Sequence, residues 1–198
     1  MPFFAPSVTT EADALFAFLE QQCTQLKLTA RDLTDEQART APTASALSIS
    51  GLIAHAAQVL NGWLLQVKAP DRYIDEEEYP TINDGLGLEG MFDGSALPDL
   101  DIVDVVAIFE KAVAEIDVAR RAVDENGTDL GTVVPMPGNP WMPKDFVMNV
   151  RWILCHLTTE IARHAGHADI IRESIDGAIA YQLNAQADGQ PWPPEGWS

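Results

Sequence analysis

The sequence predicts an all-α protein, a four-helix bundle with long loops between its second and third and its third and fourth helices and an extended C-terminal tail. Three observations lead there. Four long segments repeat apolar residues at the three- and four-residue spacing of a helix face. No segment alternates apolar and polar residues as a half-buried strand does. Pro- and Gly-containing stretches separate the periodic segments. At 198 residues and 46% hydrophobic content, the chain has enough apolar material for one core, so residues 1–198 are expected to form a single domain.

The first helix is expected from about Glu11 to Leu33, with Ala12, Phe16, Leu19, Cys23, Leu26, Ala30 and Leu33 in one seam. Thr34 and Gln37 then match a capping box, which predicts a further short helical turn. The second helix runs from about Ser50 to Val67, its apolar side built from Leu52, Ile53, Ala56, Val59, Leu60, Trp63 and Val67, and Ala69-Pro70 closes it. Residues 70–100 read as a solvated acidic loop that ends by placing Asp99, Asp101 and Asp104 at a helix start, where the dipole favours them. Between Asp71 and Asp104 there are eleven acidic residues and one basic residue, Arg72. The third helix covers about Asp101 to Val123 and stops at Asn126-Gly127. After a loop over Thr128–Pro143, the fourth helix runs from about Lys144 to Asp176 and ends at Gly177. Residues Gln182–Ser198, with Trp192 and Trp197, are expected to lie extended over the bundle.

Charge and cysteine usage narrow the function. Twelve Lys+Arg against thirty Asp+Glu leave a net charge of −18, which argues against nucleic acid or an anionic membrane as a partner. No apolar run reaches the roughly 20 residues that span a bilayer. The N-terminus lacks the basic and apolar regions of a signal peptide, so a cytoplasmic protein is expected. Cys23 and Cys155 are the only cysteines, and both are expected in the core.

The histidines carry the chemical signal. The fourth helix contains His156, Glu160, His164 and His167, whose side chains fall within an arc of roughly 80° at 3.6 residues per turn. A Glu–His pair four apart that points into a bundle is half of a metal site, and His164 lies nearest the apolar centre. By spacing alone, His156/Glu160 is an equal pair, though less central. Glu160, Arg163 and His164 also read as an ordinary helix ion-pair cluster. A third ligand has to come from another helix, where His55 is the one histidine, at the flank of its apolar stripe. No Gly-x-Ser-x-Gly elbow, P-loop or Gly-x-Gly-x-x-Gly is present.

The run Glu160-x-x-Arg163-His164-x-Gly166-His167-x-Asp169, followed by Arg172-Glu173-x-x-Asp176-Gly177, resembles the DinB-like superfamily, in its branch of mycothiol-dependent transferases and maleylpyruvate isomerase-like proteins. Gly51-Leu52-Ile53-Ala54-His55 and Trp63 fit the matching second helix, and the resemblance extends over roughly residues 10–180. It implies a DinB-like bundle holding a divalent metal, zinc first and nickel second, on His55, Glu160 and His164. It places His167 beside the site, where it could move protons in catalysis. Trp63 and Trp152 are expected to wall the pocket for the co-substrate. Relatives often carry Glu where this chain has Leu60, five residues after His55. The expected activity is S-transfer from mycothiol or a similar small thiol to electrophilic small molecules. A metal-dependent hydrolase, or a non-catalytic metal- or ligand-binding bundle, is the alternative; a homodimer is compatible with all three.

Overall fold

The computed structural model describes residues 3–90, 92–124, 128–135, 143 and 145–196. The expected stop at Asn126-Gly127, the expected helix start at Lys144 and Trp197 lie outside them. The described residues form seven α-helices and no strand, only an isolated bridge between Val133 and Asn149.

Helix α1 spans Glu11–Leu28. The Thr10 hydroxyl accepts from the Asp13 amide, and Glu11 and Asp13 sit in the first turn, where the dipole favours them. The helix stops five residues short of the expected Leu33. The reason is tertiary: the Thr29 hydroxyl donates to the Leu26 carbonyl, and the buried Arg172 guanidinium takes the Thr29 and Arg31 carbonyls at 2.8 and 2.6 Å. Asp32 then turns the chain at φ 58°. Ala30 and Leu33 still reach the core, from a turn instead of a helix. Helix α2, Asp35–Arg39, opens with the expected Thr34/Gln37 capping box.

Helix α3 spans Ile49–Lys68 and is capped by Ser48, whose hydroxyl accepts from the Gly51 amide. It is buried along most of its length, from Leu52 and Ile53 to Leu64 and Val67. The acidic stretch that follows is not the solvated loop its composition suggests. A 3-10 turn at Glu76–Glu78 leads into α4, Tyr79–Leu86, with Pro80 in its first turn and Gly87 ending it at φ 99°. Ile74, Asn83, Leu86 and Leu88 are buried, so one side of the stretch packs while Asp75, Glu77, Asp84 and Glu89 face water.

Helix α5 covers Ile102–Asp124 and α6 covers Val150–Asp176. The α6 start lies six residues after the expected Lys144, because residues 130–134 pair with 148–151 and the Asn149 side chain caps the Trp152 amide. Gly177 ends α6 in the left-handed conformation, as expected. The tail is not wholly extended: α7 occupies Ala180–Ala187, its Leu183 packed beside Leu28 and Ala178. The buried amides of Gln25 and Asn184 exchange hydrogen bonds of 3.1 and 2.8 Å and fix α7 on α1.

Helices α1, α3, α5 and α6 make the bundle. Both α1 and α3 pack against α5 and α6, so α1 faces α3 across one diagonal and α5 faces α6 across the other. One apolar cluster runs through all four, from Phe16 and Leu19 through Leu60 and Phe109 to Leu157 and Ile161. This arrangement makes α3 and α6 lateral neighbours.

Cys23 is in that core, where burial pushes its thiol well above the usual range. Cys155 is not: it is exposed. Leu154 and Leu157 take the inward positions on α6, and a residue 100° from Leu154 turns out toward Leu15 and Phe18 of α1.

Asp169, half-buried on α6, has its carboxyl pushed up to about 6, first by burial and then by the Glu173 charge. The unfolded chain ionises at an ordinary carboxylate pH, below the folded protein. Stability therefore falls as pH rises from about 4 through about 6. Asp169→Asn removes that fall. We expect its Tm to match wild type near pH 4 and to exceed it above pH 6 by roughly 3 °C, about 1 kcal/mol after allowing for solvent screening. Thermal melts across pH 4–8 check the sign.

Candidate metal centre

Two elements deliver the site. On α6, the four-residue spacing stacks Glu160 and His164 on the face turned to α3, and His164 is 9% exposed. His55 comes from the second turn of α3. Its Nε2 lies 3.5 Å from Glu160 Oε1, and His164 Nε2 lies 3.0 Å from the same oxygen. The two imidazole rings meet edge to face with centroids 4.7 Å apart. One donor atom from each of the three residues falls within 4.8 Å of the other two.

This donor set fits a divalent ion. Ligands held at about 2.0–2.1 Å around a tetrahedral ion stand about 3.4 Å apart, and the separations of 3.0 and 3.5 Å bracket that value. Two imidazoles and a carboxylate suit zinc and its neighbours in the transition series. The tautomer of His55 is settled by its partner. The Phe92 carbonyl, 2.6 Å from Nδ1, can only accept, so Nδ1 carries the proton and Nε2 offers its lone pair to the centre. The Nδ1 atom of His164 is buried without a hydrogen-bond partner among the described residues. Its other ring nitrogen, Nε2, is the one that faces Glu160 and the centre.

The electrostatics point the same way. Burial pushes the Glu160 carboxyl up, but hydrogen bonds and charges from His164 and His55 outweigh it, and the group ends below its ordinary value. His164 is lowered by burial and then by His55, against the pull of Glu160. Glu160 and His164 are each shifted toward the deprotonated form that metal binding requires.

His167 is exposed, its ring centroid 6.0 Å from that of His164. Trp63 and Trp152 meet at 5.9 Å, and Trp152 stacks on His156 at 4.9 Å and 10°. His156 thus joins an aromatic cluster and not the ligand set, and burial lowers it below the ordinary imidazole range. Leu60 is fully buried in the core.

Sequence reasoning missed the support from residues 79–96. The Phe92 carbonyl orients His55, and the buried Gln58 amide holds the segment that presents it, donating to Gly90 O at 2.8 Å and accepting from Phe92 N at 2.9 Å. The segment reaches α3 because residue 51 is glycine: a Cβ there would collide with the Gly94 carbonyl oxygen and lie 2.9 Å from that of Ala96. A backbone acceptor leaves no mark on residue type. The Pro80 and Gly87 boundaries of α4 were the available signal that this stretch folds.

The solved structure described as a conserved protein of locus from Enterococcus faecalis superimposes with a TM-score of 0.62 at 15% identity, over 86% of this chain and 100% of that one, which shows a shared fold. A comparison with curated proteins finds no match. Among protein families, residues 14–177 match that described as Mycothiol-S-transferase. The chain belongs to the mycothiol-S-transferase family of DinB-like bundles, a membership that implies mycothiol-dependent S-transfer.

Proposed function

We propose that the chain is a metal-dependent S-transferase that joins mycothiol, or a thiol like it, to small electrophiles. The observation that carries the reading is the convergence of His55, Glu160 and His164 donors on one point between α3 and α6. A divalent ion held there, zinc or secondarily nickel, supplies the Lewis acidity that makes a thiol acidic and its sulfur nucleophilic. His55, Glu160 and His164 would hold such an ion with three donors and would leave it a position open to a thiol.

The chain's own residues do the rest. Phe92 O holds His55 in the metal-binding tautomer. Glu160, kept ionised by its two histidines, offsets the charge of the ion. Trp63 lines the cavity that His55 also lines, and Trp152 packs against Trp63. His167, exposed and next to His164, passes the thiol proton to solvent.

Metal analysis of protein purified without added metal tests the first step, with about one divalent ion per chain expected. Cobalt-substituted protein should then gain a sulfur-to-cobalt charge-transfer band on adding mycothiol. Absence of both results would overturn the reading. His167→Gln should keep the metal and the band but lower kcat by about 10²-fold, the lower range for losing a proton-transfer group.

A further inference from the structure

We infer that the cavity beside His55 seats the electrophile, and that this electrophile is a small, flat, uncharged aromatic molecule. The inference rests on the transferase reading for its chemistry, and its geometry stands separately. The cavity measures about 250 Å³, below the roughly 300–1,000 Å³ of sites for drug-sized ligands, so it suits one or two rings. The rings of Trp63, Tyr79 and Phe92 line it together with Val59. Gly62 lets the Tyr79 ring come close to α3, since a Cβ there would stand 3.3 Å from Tyr79 Cε1. Such walls favour a π-system over an alkyl chain of equal volume.

Charge and hydrogen bonding exclude the other class of substrate. Among the described residues, no Lys, Arg, Asp or Glu lines the cavity. Both ends of the Gln58 amide are committed to the Gly90 and Phe92 backbone, and the Asn83 amide also turns to Gly90 O, at 3.5 Å. A sugar-bearing thiol placed here would lose its water and find little to replace it. The thiol body therefore stays outside, toward solvent, and only its sulfur meets the ring. His55 is both a wall of the cavity and a member of the donor triad, so the cavity and the centre share that residue. On a halonitroarene, the thiol sulfur forms the new C–S bond, the C–halogen bond breaks, halide leaves with the electron pair, and the thiol proton goes to solvent.

The test uses 1,3-dinitrobenzene, which has no leaving group, on metal-free full-length protein. Calorimetry should show saturable binding to wild type and to His164→Ala alike. Binding should weaken at least tenfold in Val59→Trp, which fills the cavity, and in Trp63→Ala, which removes a wall. In zinc-loaded protein, Val59→Trp should raise KM for 1-chloro-2,4-dinitrobenzene at least tenfold and leave KM for mycothiol within twofold. Equal dinitrobenzene affinity across wild type and both cavity variants would overturn the inference, as would a rise in KM for mycothiol instead. Binding that discriminates these variants without any turnover would sink the transferase reading and spare the cavity. Turnover with indifferent binding would do the reverse.

Discussion

Replacing His164 with alanine is expected to abolish metal binding while leaving the metal-free fold nearly as stable as wild type. The two halves of this result have separate causes. His164 supplies one of three donors, and its loss should weaken affinity by more than about 100-fold, the upper figure for losing a residue that merely supports a ligand. Its contribution to the apo fold is limited because Nδ1 is buried without a partner among the described residues, so truncation removes an unmet desolvation cost along with the Nε2 bond to Glu160. Metal content should fall from about one ion per chain to background. The metal-free Tm should change by no more than about 3 °C. A large loss of apo stability with retained metal would show that the imidazole is structural.

Gly51→Ala is expected to damage both the fold and the site, although residue 51 has no side chain to act as a ligand. The new Cβ meets backbone oxygens of Gly94 and Ala96, which cannot swing aside as side chains do. Relief requires the 92–96 segment to lift from α3, and Phe92 O moves with it away from His55. We expect a loss of about 2 kcal/mol, roughly 4–8 °C in Tm, and a 10- to 100-fold weaker metal affinity. Gly166→Ala is the matched control. Its Cβ would meet nothing within 4 Å, and in a helix interior the change should stabilise by about 0.5–1 kcal/mol. Melts and metal titrations of the pair separate a steric effect at one glycine from a general effect of adding a methyl group.

These variants also mark how far the sequence can be read. The four long helices were legible because their apolar seams extend over several turns, and the Thr34/Gln37 capping box was legible because it is local. The end of α1 was not, because Ala30 and Leu33 continue the seam while Arg172, some 140 residues later, draws the carbonyls out of the helix. Helices α4 and α7 have eight residues each, too short to stand without tertiary support, and their composition resembles loop. At the site, Glu160/His164 followed from spacing. Position on the helix face favoured it over His156/Glu160, elimination named His55 as the third candidate, the family resemblance implied the full set, and the three side chains lie together in the structure. Cys155 was misplaced because an apolar residue beside Leu154 reads as core until the helix is wound.

The way the four long helices neighbour one another has a consequence for how the protein acquires its centre. Of the four lateral contacts, α3 with α5 is the one between helices consecutive in the chain; α1 with α5, α1 with α6 and α3 with α6 all join distant segments. Early structure is cheapest where the shortest loop closes, which favours the α3–α5 pair as the nucleus. Docking of α6 then comes late, and Glu160 meets His55 across an intervening 104 residues only at that stage. Assembly of the three donors is thus coupled to the slowest part of the topology, and a partly folded chain offers a metal ion at most two of them.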